Sequence, residues 1–250
     1  KLIAILPCDM YSLIFSKDGK VEYELEYKDG KTETFNVEKA LVSVGRVANV
    51  ENLNLEAVGV KLNERGSIWD DDTQTQTSNI YVAGDVTTDM ALVNVGEREA
   101  RHAVVRMFGP TIKPLSYQNI STIMFLNPEV ASVGMSEQDC VKKGLAHKVV
   151  KLAYSTNARA IAMRKTKGFF KIIVTNDNGM RILGMRCVGE HASSAIQAVA
   201  YLIHTNQGIR ELADMMHPHP SIIEGIQECL RMLLGKSIYK SSVFKDKLKC

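Results

Sequence analysis

Between the dipeptides Asp18-Gly19 and Asp29-Gly30, the residues Val21, Tyr23, Leu25 and Tyr27 alternate with Glu22, Glu24 and Glu26. A period of two puts the apolar set on one face and the carboxylates on the other, which is a strand with one dry and one wet side. Asp-Gly favours the φ > 0 turns that join antiparallel neighbours. Residues 12–44 therefore read as strands, with Thr32–Val37 folding back onto the alternating segment as a small antiparallel meander. Lys39–Val44 has no polar alternation and reads as a more buried strand that ends at Gly45-Arg46.

Further along, Ile80–Ala83 reads as a second short buried strand, ending at Gly84-Asp85. A Gly at a strand end lets a ligand approach the backbone, and an Asp there accepts hydrogen bonds from sugar or polyol hydroxyls. Taken singly, the pair is better explained as a plain Gly-Asp turn. Two strands ending in this way suggest one sheet with a crevice for a flat cofactor. A helix is expected from Ala91 to Phe108. Pro110 and Pro114 then mark a linker, with a domain boundary at 112–118.

The second half reads as α+β. Strands are expected at Thr122–Leu126, Ala131–Gly134, Lys148–Tyr154, Phe169–Thr175 and Arg181–Val188, and Asn176–Gly179 is the hairpin turn between the last two. Ser136-Glu137 opens a short helix that ends at Gly144. Ser193–Gln207 is amphipathic, and Ile222, Ile226, Leu230 and Leu233 form a similar stripe. Such stripes are read as core. Lys236–Lys249 reads as a solvated tail.

The chain has 250 residues, 45% of them hydrophobic, enough for a core without staples. Its net charge of +3 with scattered basic residues points away from nucleic acid and from anionic membranes. No apolar run reaches transmembrane length. The five cysteines, Cys8, Cys140, Cys187, Cys229 and Cys250, form no paired motif, so no metal site is expected and a reducing compartment is. The opening Lys1–Leu6 lacks Met and reads as the interior of a longer protein.

The run His217-Pro218-His219-Pro220-Ser221-Ile222-Ile223-Glu224 carries the chemistry. Both prolines fix φ and lack an N–H, so the segment is stiff and not helical. A stiff loop presenting imidazoles, followed by a helix presenting a carboxylate, suits a general base. Ser221–Glu224 is also an S-x-x-E capping box, which needs no catalytic role. His102, His147, His191 and His204 occur singly and read as packed or solvated.

Four segments in order carry a family resemblance: Ala40–Asn49, Thr77–Val86, Asn127–Glu137 and His217–Glu224. They resemble the C-terminal half of the flavin-dependent pyridine nucleotide–disulfide oxidoreductases, and among these the dihydrolipoyl dehydrogenase branch. The resemblance implies α/β plus α+β architecture in three parts. Residues 1–38 would be the last meander of an NAD-binding domain, 39–115 the second piece of an FAD-binding domain, and 116–250 an interface domain that builds a homodimer.

It implies FAD and NAD as cofactors. Asp85, with Gly84 beside it, would bind the ribityl chain, and Gly45 would lie near the nicotinamide nucleotide. Ala91-Leu92-Val93-Asn94 would lie against the flavin, although Val93-Asn94 depart from the family's usual Ala-His. His219 and Glu224 would be the acid–base pair, serving the partner subunit's redox disulfide. The substrate would be a lipoyl-bearing acyltransferase or a small dithiol or disulfide, in the cytoplasm or an organellar matrix. The family's G-x-G-x-x-G fingerprints and its C-x-x-x-x-C are absent from this sequence, so the chain alone is expected to be inactive. A mercuric reductase, a glutathione-type reductase, a transhydrogenase or a non-catalytic dimerisation module are the rival readings.

Overall fold

The structure, a computed structural model, describes residues 11–17, 19–27, 29–41, 43, 45–87, 90–110, 113–239 and 248–249. The chain falls into two units, Lys1–Ile112 and Lys113–Cys250.

In the first unit, β1 (Tyr11–Lys17), β2 (Lys20–Glu26) and β3 (Thr32–Val37) form the expected antiparallel meander in the order β1-β2-β3. The period-two pattern is realised along β2, where Val21, Tyr23 and Leu25 are shielded and the glutamates exposed. Tyr23 stands opposite Phe35 in the register, and their rings stack at 5.2 Å. Such a cross-strand aromatic pair contributes about 0.2–1 kcal/mol.

Of the strand expected at Lys39–Val44, the described residues Lys39, Ala40, Leu41 and Ser43 are in no strand. Val42 and Val44 lie outside the described residues; Lys39, Ala40, Leu41 and Ser43 are exposed and unpaired in any ladder, Leu41 at 93%. A buried strand needs neighbours on both edges, and no described residue pairs with Lys39, Ala40, Leu41 or Ser43. Ile80–Ala83 likewise does not form a full strand. It makes a local ladder with Thr73–Thr75, through Thr75 N–H to Ile80 O (3.0 Å) and Val82 N–H to Thr73 O (2.9 Å). Helix α1 (Val93–Phe108) forms as expected and buries Val95, Glu99, His102 and Ala103.

The second unit is built on β4 (Ser121–Met124), β5 (Val130–Gly134), β6 (His147–Ala153), β7 (Phe169–Thr175), β8 (Ile182–Val188) and β9 (Leu248–Lys249), ordered β4-β5-β8-β7-β6-β9 with all pairs antiparallel. β9 corrects the expectation of a wholly solvated tail, because Leu248 and Lys249 pair with Leu152 and Lys151. The helices are α2 (Glu137–Lys142), α3 (Ala158–Ala162), α4 (Ala192–Ala195), α5 (Gln197–His204), α6 (Arg210–Asp214) and α7 (Glu224–Leu233). The amphipathic stretch expected at Ser193–Gln207 is two helices, α4 and α5, meeting at Ile196. Ser136 caps α2 in a reciprocal box with Asp139.

One sheet face carries Val150, Leu152, Phe170, Ile172, Met185 and Cys187, all at or below 1% exposure. Against it lie α5 and α7, with Val199, Ile226 and Leu230 completing the core. Each large side chain of this kind contributes about 1.5–3 kcal/mol of burial. Among the described residues no helix is long and apolar enough to cross a membrane.

Candidate functional site

The candidate residues fall into two places, one in each unit. In the first unit the organising element is α1. Its buried positions 95, 99, 102 and 103 follow the helical period, but two of them are polar, Glu99 and His102. Glu99 is 1% exposed and its Oε2 accepts the Gly84 N–H at 2.7 Å. A buried carboxylate must be hydrogen-bonded, and this bond ties the Gly84-Asp85 turn to the helix. Gly84 has φ +85°, in the left-handed region that favours glycine. A Cβ built on Gly96 would meet the Gly84 Cα at 2.9 Å, so helix and turn touch backbone to backbone.

These contacts bring Gly84 and Asp85 together with the start of α1. There Ala91 and Asn94 are exposed, Leu92 is half-buried and Val93 is 89% exposed. Leu92 is the N-cap residue, and among the described residues no side chain caps the helix. The first N–H groups of a 16-residue helix are therefore presented beside an exposed carboxylate, Asp85. Gly45 is exposed at φ +116°, with open space around its Cα; among the described residues no hydrogen bond joins it to Gly84-Asp85. On the same helix His102 is 2% exposed, and its Nε2 lies 2.9 Å from Asp72 Oδ2. Arg106 lies 3.5 Å from the same oxygen. The signal for Glu99 and His102 was present in the sequence as polar residues at buried-stripe spacing.

In the second unit, His219 and Glu224 are brought together. The His219–Pro220 peptide is cis. His219 Nδ1 lies 2.8 Å from Glu224 Oε1, and Glu224 Oε2 accepts the Ser221 N–H at 2.7 Å. The carboxylate therefore serves the imidazole and the backbone at once, one oxygen for each. Only this half of the capping box forms. The helix begins at Glu224 with Ile223 as N-cap, and Ser221 Oγ is buried without a hydrogen-bond partner among the described residues. Gly225 N–H to Ile222 O and Ile226 N–H to Ile223 O bonds tighten the entry turn, which delays the helix past the expected Ser221.

Burial pushes the Glu224 carboxyl upward, but the His219 hydrogen bond, the Ser221 N–H and the charges of His219 and His217 together hold it below the usual carboxylate range. An ionised carboxylate only accepts, so Nδ1 carries a proton, and in the neutral ring Nε2 then holds the lone pair. The His219 side chain is 71% exposed and Glu224 26%, so that nitrogen is on an accessible ring held by a sheltered anchor. His217 has a different role, its Nδ1 lying 3.0 Å from Met215 O.

Among the described residues no group of His, Cys, Asp and Glu is arranged to hold a metal ion. Cys140 and Cys187 are buried free thiols, and Cys229 is buried too; Cys8 and Cys250 lie outside the described residues. Burial pushes the Cys187 thiol up to about 12, opposed by the Tyr154 hydroxyl and aided by Glu129. A thiol so placed is not a nucleophile.

A family model for the pyridine nucleotide-disulphide oxidoreductase dimerisation domain matches residues 120–230. A second model, for pyridine nucleotide-disulphide oxidoreductases, matches residues 12–100. The chain is similar to the dihydrolipoyl dehydrogenase of Geobacillus stearothermophilus, at 32% identity over 89% of this chain and 47% of the relative. It is similar to that of Corynebacterium glutamicum at 33% identity over 88% of this chain and 47% of the relative. Thus it spans about half the length of the curated relatives it matches.

Among solved structures it resembles LpdA from Mycobacterium tuberculosis, with TM-score 0.81 and 28% identity over 88% of this chain and 47% of that one. It also resembles the flavoprotein disulfide reductase RclA from Escherichia coli, with TM-score 0.79 and 25% identity over 88% and 50%. The two family models fall one in each unit, and the relatives align along most of the length; the chain belongs to the pyridine nucleotide–disulphide oxidoreductase family.

Proposed function

We propose that this chain is the C-terminal part of a homodimeric dihydrolipoyl dehydrogenase-like flavoprotein, in which His219 is the acid–base group and Glu224 its anchor. The dihydrolipoyl dehydrogenases among its relatives support the substrate class, a dihydrolipoyl group on an acyltransferase or a small dithiol. The match to a dimerisation-domain model supports a second copy as the partner. The buried thiols Cys140 and Cys187, outside any disulfide, favour a reducing compartment, cytoplasm or organellar matrix. In this reading residues 1–38 end the NAD domain, 39–115 complete the FAD domain and 116–250 form the interface domain.

One observation carries the chemistry: the Glu224 carboxylate is fixed by the Ser221 N–H and holds His219 Nδ1 at 2.8 Å. A substrate thiol of pKa about 8.5 is mostly protonated at neutral pH and is a poor nucleophile. His219 Nε2 takes its proton, and the resulting thiolate attacks a redox disulfide, breaking that S–S bond as a mixed disulfide forms. The thiolate released from the redox pair takes that proton back from the imidazolium, the ring accepts the proton of the second substrate thiol, and the new thiolate displaces the mixed disulfide; the two substrate sulfurs, now joined by an S–S bond, have lost two electrons and the redox pair has gained them. Glu224 stabilises the imidazolium in between, as the carboxylate does in other His-based sites. The C-x-x-x-x-C that would supply that disulfide is not in this sequence.

Asp85 would accept from ribityl hydroxyls beside Gly84, and the start of α1 at Ala91–Asn94 would donate to the flavin's electronegative edge. Gly45 would stand near the nicotinamide nucleotide. FAD, when bound, supplies two-electron transfer between the dithiol pair and NAD.

The test is His219→Gln in the complete flavoprotein that contains these residues. Dithiol oxidation should fall by about 10²-fold or more, the weight of a lost general base, with flavin content unchanged. Unchanged turnover would overturn the reading in favour of a non-catalytic dimerisation module.

A further inference from the structure

The loop that carries His219 is not held by its own backbone. Among the described residues, no backbone–backbone hydrogen bond begins or ends on residues 216–221. Pro218 and Pro220 have no N–H to give. An imidazole that must keep one tautomer and one direction cannot rest on such a loop unless something else fixes it.

Two buried carboxamides do. Asn157, 5% exposed, is the N-cap of α3, and its Oδ1 accepts the Ala160 N–H at 3.1 Å. Its Nδ2 reaches 64 residues along the chain to Ser221 O at 3.0 Å, with Ile222 O at 3.4 Å. Gln227, 6% exposed on α7, sends Nε2 to Met215 O at 2.8 Å and to Ala213 O at 3.0 Å. Met215 O is also the atom that His217 Nδ1 approaches. The carboxamides thus clamp the loop at its two ends. The Ser221 end is the more direct, since the N–H of that residue fixes the Glu224 carboxylate.

We propose that Asn157 and Gln227 are positioning residues for the His219–Glu224 pair, holding the loop so that Nδ1 faces the carboxylate and Nε2 stays free. This rests on the acid–base reading of His219. Neither residue touches the imidazole, so each acts through the loop.

The experiment reads the His219 ring tautomer by ¹⁵N NMR on the labelled chain near neutral pH, with thermal unfolding as the folding check. Asn157→Ser keeps an oxygen for the Ala160 amide and drops only the donors to the loop. Gln227→Met keeps length and volume and drops the donors at the other end. Ser136→Ala, which removes the cap of α2, serves as a destabilised control away from the loop.

In the parent chain Nδ1–H should predominate. In each variant its ratio to Nε2–H should fall by about twofold to tenfold, the equilibrium weight of one ordinary hydrogen bond, while Ser136→Ala leaves the ratio unchanged. Folded variants with the parent's ratio would overturn the positioning role and leave the acid–base reading standing. A parent chain in which Nε2–H predominates would overturn the acid–base reading itself, and the positioning role with it.

Discussion

The residue after the Glu224 anchor is a glycine for a steric reason, and Gly225→Ala puts that reason to the test. An ideal Cβ on Gly225 would stand 2.2 Å from Phe170 Cε2 and 2.5 Å from Cζ. Phe170 is 0% exposed and stacks on Tyr154 at 4.4 Å, so its ring has no free side to move into. Two effects compete. Alanine is the better helix former by about 1 kcal/mol. Overpacking a closed core costs about 1–3 kcal/mol, and a ring enclosed on both faces belongs at the upper end. The net expectation is a loss of about 1–2 kcal/mol, or about 2–8 °C in Tm for a chain of this size.

Differential scanning calorimetry measures it. Shortening the ring should relieve the clash: Phe170→Leu and Gly225→Ala together should cost less than the sum of the two by about 1 kcal/mol. A Gly225→Ala chain as stable as the parent, or more so, would refute the argument that α7 is seated by glycine against the β7 ring. It would also remove the packing reason for Glu224 standing where it does.

Two further outcomes follow from contacts already described. Gly96→Ala would push a methyl toward the Gly84 Cα, 2.9 Å away; the Gly84 amide, now bonded to Glu99, should exchange with solvent faster, and unchanged protection would contradict the close approach. Cys187, pushed up to about 12 by burial, should resist alkylation in the native chain and become labelled only on denaturation, as peptide mass spectrometry would read.

Much of the architecture was legible because it is locally determined. β7 runs over Phe169–Thr175 as expected, since a β-branched and aromatic run stops at a turn that Asp177 locks by accepting from Gly179 and Met180. The stiff loop at His219 and the helix behind it were legible from the two prolines and the apolar stripe, but the run alone read as readily as a capping box, and the His219–Glu224 pairing came from the family resemblance. What failed depends on distant partners. Lys39–Val44 looks like a buried strand, yet a strand exists only where neighbours complete its ladder. β9 needs the β6 edge, about a hundred residues away in sequence, to define it. Asn157 read alone is a helix cap, and nothing local says that its amide reaches Ser221. Gln227 is more instructive: a carboxamide between Ile226 and Glu228 on a buried helix signals a buried partner, but not which carbonyl.

The account rests on an ionised Glu224 holding the His219 ring, and the carboxyl itself reports on that. Its pKa lies below the usual carboxylate range although burial alone would raise it, because the imidazole and the Ser221 N–H favour the charged form. A carboxyl lowered by folding contributes stability that is present above its unfolded pKa and is lost as pH falls through the folded one. The ¹³C titration of the Glu224 side chain in the parent and in His219→Gln is therefore the direct measurement. The account predicts a midpoint below the ordinary range in the parent that moves up when the ring is removed. The same midpoint in both chains would contradict it.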